Sequence, residues 1–143
     1  MEGLRLLLKR EESYAIHALI NIAENPGTNA ALIASQLELS KTYMAKVLRK
    51  LVEAGIIESR LGRSGGVRLK VAPQDLDLVT VIEAISGPLM LDWCQVQARC
   101  ATQRRKGYCR LNRAYDQAGR EIRQVLQGVR VADLYEPAPA AEA

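Results

Sequence analysis

The residues best able to carry chemistry in this 143-residue chain are its three cysteines. Cys94, Cys100 and Cys109 have five and eight residues between them. Thiolates are soft ligands that suit an iron-sulfur cluster or zinc, and nearby cations would lower their pKa values. The cations around them are Arg99, Arg104, Arg105, Lys106 and Arg110. Because no CxxC pair is present, structural zinc is disfavoured, and three ordinary thiols or one redox disulfide with a spare thiol stay open.

The cysteines follow a segment, residues 40–55, whose pattern predicts a helix with one buried and one basic face. Its apolar residues recur at helical spacing, at Met44, Val47, Leu48, Leu51 and Val52. The opposite face carries Thr42, Lys46, Arg49 and Glu53. Ser40 is a favourable N-cap, and Gly55 stands where such a helix would end.

The segments on either side of this helix indicate a winged helix-turn-helix. Residues 30–37 predict a shorter helix, separated from the longer one only by Glu38 and Leu39. In a helix-turn-helix the second helix enters the DNA major groove N-terminus first. Two alternating runs follow, at 57–61 and 67–71, joined by the sequence GRSGG. They predict a β-hairpin with a basic, glycine-rich tip, which is a wing.

The remaining elements are predicted from helical periodicity and its interruptions. Residues 6–8 suit a short strand or lead-in, residues 13–24 and 78–85 suit helices, and residues 89–109 show no helical period. Residues 110–130 regain the period with a long apolar stripe, formed by Leu111, Ala114, Tyr115, Ala118, Ile122, Val125, Leu126 and Val129. One small winged domain would not cover that stripe fully, so the same helix of a second copy is its simplest partner.

The chain therefore predicts a mainly α fold with a small β-hairpin, a winged helix-turn-helix domain plus a long C-terminal dimerisation helix. Its expected parts are a DNA-binding domain at 1–88, a cysteine-containing sensor loop at 89–109, a dimerisation helix with its end at 110–134, and a flexible tail at 135–143.

Composition and charge permit a nucleic-acid partner. The chain is 48% apolar, and its net charge of +4 leaves room for phosphate binding without requiring it. The apolar run at residues 4–8 is too short for a signal peptide or a membrane span, so we expect a cytoplasmic protein with reduced cysteines. A single histidine, His17, and no Ser-His-Asp motif disfavour a hydrolytic enzyme.

Over about residues 6–134 the chain combines YAIHALINIAE, LIASQLELSKTYMAKVLRKLVEAGIIESRLGRSGGVRL and VIEAISGP with three cysteines and a long terminal helix. This order resembles the Rrf family of bacterial winged-helix regulators, which includes the iron-sulfur assembly repressor IscR and the nitric-oxide sensor NsrR. The resemblance implies a homodimeric, cytoplasmic transcription regulator, expected to repress, that binds double-stranded promoter DNA. It places Cys94, Cys100 and Cys109 on the ligand positions of a cluster, either 2Fe-2S or 4Fe-4S.

The chain departs from the family pattern at the fourth ligand. The histidine of the assembly repressor, three residues after the third cysteine, is Asn112 here, and the aspartate of the nitric-oxide sensor is Ser13. Glu12, donated across the dimer, is the first substitute to test, followed by His17, Asp92, a small molecule or an open site. The longer interval between the second and third cysteines leaves the cluster type open.

The predicted DNA-binding surface combines the start of the 40–55 helix with the hairpin. Thr42, Tyr43 and Lys46 are predicted to approach base edges. The predicted phosphate contacts are Lys41, Arg49, Arg60, Arg63 and Arg68, with Ser40 as the N-cap and Gly65 and Gly66 in the wing. The family's arginine before the first wing glycine is Leu61 here, so the operator sequence stays open.

Three alternatives remain from the sequence. The nearest is a winged-helix regulator that switches by reversible disulfide formation without metal. A small iron-sulfur electron carrier is less favoured, because such carriers usually supply four thiolates and need no basic helix. The third is a winged helix that binds protein, which failure to bind any DNA would indicate.

Overall fold

The computed structural model describes residues 3–62, 65–97 and 100–135 of the chain. The elements in chain order are α1 (Arg10–Glu24), α2 (Ala30–Gln36), α3 (Lys41–Glu53), β1 (Ile57–Arg60), β2 (Gly66–Leu69), α4 (Leu78–Ser86), α5 (Trp93–Val96), α6 (Ala101–Lys106) and α7 (Arg110–Gln127). Single 3-10 turns lie at Pro73–Asp75 and Val131–Leu134. The predicted mainly helical fold with one small hairpin is confirmed.

Side-chain caps define the helix-turn-helix formed by α2 and α3. The Asn29 side chain accepts a hydrogen bond from the Leu32 amide at 3.0 Å, and the Ser40 hydroxyl accepts one from the Tyr43 amide at 3.1 Å. Between the helices Glu38 adopts a left-handed conformation with φ of 57°, which turns the chain sharply. The predicted Ser40 cap and the short turn are therefore confirmed.

The hydrophobic core joins the first four helices to the hairpin and to the turn that follows α7. Its largest fully buried side chains include Leu19, Ile22, Ile33, Met44, Leu51, Ile57, Leu76, Ile82 and Val131. Val131 was not expected there, because it follows the long helix. Its amide donates to the Leu76 carbonyl at 2.8 Å, so the chain returns to the winged domain after α7.

The wing is an antiparallel pair in which Ile57 lies opposite Leu69 and Arg60 opposite Gly66. The turn after α1 adds a third segment, because the Gly27 amide donates to the Val67 carbonyl at 3.1 Å and the Val67 amide to the Thr28 carbonyl at 2.7 Å. These bonds satisfy the outer edge of β2 and attach the hairpin to α1.

Gly66 permits that close approach. Its φ is +125°, and a Cβ atom there would lie 2.2 Å from the Gly27 carbonyl oxygen. We expect Gly66→Ala to lower the free energy of unfolding by at least about 3 kcal/mol, because both backbone strain and a backbone clash oppose it. Urea unfolding followed by circular dichroism measures the loss. Gly55→Ala is the matched control, since its φ of +75° is strained but no atom lies within 4 Å; an equal loss in both variants would contradict the clash.

Some sequence predictions of local structure were wrong. Residues 6–8 form the lead-in to α1 and not the short strand that the sequence also allowed. Residues 89–109, which show no helical period, contain the short helices α5 and α6, which are too short to produce one. Helix α1 begins three residues earlier than expected, because the Glu12 carboxylate accepts a hydrogen bond from the Lys9 amide at 2.9 Å and caps it. Val52 is 40% exposed, because it lies at the margin of the apolar stripe.

Candidate nucleic-acid interface and cysteine segment

Helix α3 buries one face and leaves the other in solvent. Met44, Val47 and Leu51 are fully buried and fix the helix on α1, α2 and α4. The exposed residues of the opposite face include Lys41, Thr42, Lys46 and Arg49, with the predicted Glu53 also exposed. Among the described residues, none of the three cations in this set forms an ion pair. This part of the predicted surface is therefore exposed to solvent.

The charge at the start of α3 opposes the helix dipole. Lys41 occupies the first helical position, and the first turn contains no acidic residue. A cation at a helix N-terminus is unfavourable in the free protein, whereas the same end attracts phosphate. The arrangement therefore lowers the stability of the helix in the free protein but favours binding of an anionic ligand.

Tyr43 is less available than its sequence neighbours. Its half-buried ring lies edge-on to Tyr14, with ring centroids 6.0 Å apart, and the Arg10 guanidinium lies 5.5 Å from the centre of the Tyr14 ring. Burial, with the nearby Glu11 carboxylate, raises the pKa of Tyr43 above its usual value, so its hydroxyl stays protonated. Part of the Tyr43 ring packs against α1, so only the rest of the side chain is free to contact DNA. A base contact from Tyr43 stays a prediction.

The wing arginines differ in their surroundings. Arg60 pairs with Glu58 at 3.2 Å on the exposed hairpin surface. The half-buried Arg68 lies against the turn after α1, where its Nη2 atom would be 3.3 Å from a Cβ on Gly27. Arg63 lies outside the described residues. At the wing glycines Gly65 and Gly66 other backbone atoms come so close that a Cβ atom would clash with them.

Lys50 makes tertiary contacts that its sequence position did not predict. Its ammonium group donates to Glu11 at 2.9 Å and to the Ile85 carbonyl at 3.2 Å. A single side chain therefore ties α3 to the start of α1 and the end of α4. Its position next to the buried Leu51 was the available signal, because a cation at the edge of an apolar face usually has a partner.

Each of the three cysteines lies in a helix or at the N-cap of one. Cys94 lies in α5, and Cys100 and Cys109 are the N-caps of α6 and α7; all three are free thiols of intermediate exposure. A hydrogen bond to Asp92 raises the pKa of Cys94, with smaller contributions from burial and from the charges of Asp92 and the other two cysteines. The backbone N–H of Gln103 lowers the pKa of Cys100 by donating a hydrogen bond to its thiolate.

The candidate ligands suit a cluster in chemistry but not in their present arrangement. Among the described residues, no group of three or more His, Cys, Asp or Glu side chains lies close enough together to hold a metal ion. Glu12 is 4% exposed and caps α1 through Lys9, while His17 is exposed on the same helix. Asp92 accepts from the Cys94 amide at 3.0 Å. A fourth ligand from within one chain would require rearrangement.

Helix α7 contacts the rest of the chain along one face. Arg123 makes a two-pronged contact with Glu83 on α4, with nitrogen–oxygen distances of 2.9 and 3.2 Å. That contact lowers the pKa of Glu83 and raises that of Arg123. Around the helix axis, the apolar stripe lies roughly a third of a turn from the face that carries Arg123. No residue of α7 is buried. Leu111 is 52% and Val125 is 68% exposed, while Tyr115, Ile122 and Leu126 are half-buried, so the stripe is only partly covered in the single chain.

This architecture defines a class of protein. A capped helix-turn-helix, an exposed basic second helix and an attached wing form a winged-helix DNA-binding domain. Among the described residues, no helix is long and apolar enough to cross a membrane.

Comparison with known proteins identifies the family. Residues 8–137 match the Rrf2 family, described as an iron-dependent transcriptional regulator. The chain belongs to the Rrf2 family of winged-helix transcriptional regulators, and it is a DNA-binding regulator and not an enzyme.

Individual relatives agree with that assignment. Protein aau3 of Rhizobium meliloti is 28% identical over 134 residues, covering 92% of this chain and 86% of the relative. The regulator NsrR of Bacillus subtilis is 36% identical over 72 residues, or 48% of this chain and 49% of the relative. Among solved structures, T. potens IscR matches with a TM-score of 0.73 at 22% identity, covering 99% of this chain and 93% of the other. The cysteine regulator CymR of B. subtilis matches with a TM-score of 0.67 at 23% identity, covering 92% and 97%.

Proposed function

We propose that this regulator is a homodimeric, cytoplasmic repressor whose binding to promoter DNA responds to iron-sulfur status, nitric oxide or oxidative stress through Cys94, Cys100 and Cys109. The observation that carries the proposal is the placement of three free, partly exposed thiols along one segment that packs on α7. Helix α7 also carries the partly exposed apolar stripe, so the proposed sensor and the proposed dimer contact share one element.

The proposed DNA contacts divide between base edges and phosphates. Thr42, Lys46 and the exposed part of Tyr43 approach bases in the major groove. Lys41, at the start of α3, holds a phosphate together with the helix N-terminus. The other proposed phosphate contacts are Arg49, Arg60, Arg63 and Arg68, with the wing glycines allowing close approach. Binding is expected to weaken steeply as salt rises.

The proposed cofactor is an iron-sulfur cluster of either nuclearity. Cys94, Cys100 and Cys109 supply three thiolates, and Glu12 of the second subunit is the first candidate for the fourth position. A cluster of this kind supplies one-electron redox chemistry and reactivity toward oxygen or nitric oxide. The names of the relatives NsrR and IscR support this proposal, and the separation of the ligands requires the segment to close when the cluster binds.

A metal-free thiol switch is the second candidate. It is favoured by the lowered pKa of Cys100, which increases the thiolate fraction available for disulfide formation. A solved structure with the same fold is that of the oxidised form of Staphylococcus aureus CymR.

Anaerobic purification separates the two candidates. A cluster is expected to give a brown protein with visible absorption and a paramagnetic-resonance signal after reduction, and Cys100→Ala should lose both. Gel shifts on promoter DNA before and after exposure to air or nitric oxide then test the response. A colourless protein whose DNA binding changes only with a dithiol reductant would support the disulfide switch. DNA binding that no treatment changes would reject both.

A further inference from the structure

Glycine stands at an unexpected place in α7. Gly119 lies in the middle of an 18-residue helix, where glycine is the poorest residue apart from proline. A Cβ atom at this position would lie 2.8 Å from the Nε2 atom of Gln95. The glycine therefore leaves a notch on α7, and the amide of Gln95 occupies it.

Gln95 uses that position to organise the segment around Cys94. Its Oε1 atom accepts hydrogen bonds from the Leu91 amide at 2.6 Å and the Asp92 amide at 3.2 Å. Its Nε2 atom faces Asp116 on α7, with a nitrogen–oxygen distance of 3.4 Å. One amide thus caps the start of α5 and contacts α7 at the same time.

A second amide holds the same turn from the other side. The Nδ2 atom of Asn112 donates to the Cys94 carbonyl at 2.5 Å. Helix α5 has only four residues and would not be stable alone, so contacts with α7 must hold it. One face of α7 carries all of these contacts, through Asn112, Asp116, Gly119 and Arg123. On this face Arg123 binds Glu83 of α4, and the Glu83 carboxylate also accepts a hydrogen bond from the Leu89 amide at 2.8 Å.

We propose that Gln95, seated in the Gly119 notch, is the positioning residue that holds the Cys94 turn on α7 and transmits chemical change at Cys94 to that helix. The inference rests on the proposed function of Cys94 as a sensor. When Cys94 moves toward a cluster or a disulfide partner, its carbonyl and the Gln95 amide must move with it. The contact with α7 therefore changes together with the sensor segment.

Gly119→Ala tests the notch in the full-length reduced chain. The new methyl group displaces Gln95, and we expect iodoacetamide to alkylate Cys94 about 10-fold faster, as measured by mass spectrometry of the Cys94 peptide. Gly128→Ala is the matched control, because a Cβ at this glycine at the end of α7 would lie no closer than 3.4 Å to its nearest neighbour. Unchanged alkylation of Cys94 in Gly119→Ala would overturn the proposal.

A double-mutant comparison separates positioning from simple damage to the helix. In a Gln95→Ala background the obstacle is gone, so Gly119→Ala should raise Tm by about 3 °C through better helix propensity. In the parent background the gain should be absent or reversed. An equal change of Tm in both backgrounds would mean that Gln95 and Gly119 act independently, and would overturn the proposal.

The DNA response distinguishes this inference from the proposed function. In the parent protein, DNA affinity should change when the cysteines are oxidised or loaded with a cluster, and in Gly119→Ala that change should be smaller by at least fivefold. A parent protein without any response would contradict the proposed sensor function, while the alkylation and Tm measurements would still decide the positioning role. A full response in Gly119→Ala would overturn the transmission to α7.

Discussion

Replacing Lys46 by glutamate is expected to lower affinity for specific DNA by about 10³-fold. Lys46 is exposed on the face of α3 opposite Met44 and Val47, and it forms no ion pair among the described residues. A lost base contact costs about 1–3 kcal/mol, and a dimer loses it in both half-sites. Two losses of about 2 kcal/mol correspond to that change in affinity.

The measurement uses DNA selected by the parent protein from a random library, with fluorescence anisotropy over a range of salt concentrations. Lys46→Met distinguishes a phosphate contact from a base contact. Loss of a phosphate contact lowers the slope of log affinity against log salt by about one per subunit, whereas loss of a base contact leaves that slope unchanged. Arg120→Glu is the matched control, because it makes the same charge change on the exposed side of α7. Equal weakening by both glutamates would show that only total charge matters.

Replacing Val125 by glutamate is expected to convert a dimer into monomers and to lower specific DNA affinity by about 10²-fold or more. Val125 is 68% exposed in the single chain, so the substitution should change the free energy of unfolding of one subunit by less than about 0.5 kcal/mol. In a dimer the same position would bury an unpaired carboxylate, which is strongly unfavourable. The two half-site contacts would then no longer be linked. The second contact would lose the high effective concentration that the dimer gives it, so overall DNA affinity would fall.

Sedimentation equilibrium gives the mass of the assembly, and anisotropy on the selected DNA gives the affinity. Gln124→Glu is the control, because it adds the same charge one residue away on the polar side of α7, where it is exposed. It should leave both values unchanged. A dimeric Val125→Glu protein would show that the stripe is not the dimer contact, and a monomeric parent protein would reject the homodimer itself.

Local sequence patterns were sufficient for much of the DNA-binding domain. The apolar spacing in α3, the Ser40 cap and the short turn at Glu38 and Leu39 are interactions between near neighbours, and the structure contains them as predicted. The hairpin was predicted for the same reason, because alternation and glycines mark strands and turns. The apolar stripe of α7 was also visible, since helical periodicity depends only on the order of residues.

The residues themselves thus determined the class of fold, the basic face of α3 and the presence of three thiols in one segment. Contacts between residues distant in the chain were decided only by the tertiary structure. Lys50 reaches Ile85, Val131 enters the core, Tyr43 turns toward Tyr14, and Gln95 fills the space above Gly119. No local pattern predicts such pairs, because each depends on how two elements pack and on which side chain fits the space between them.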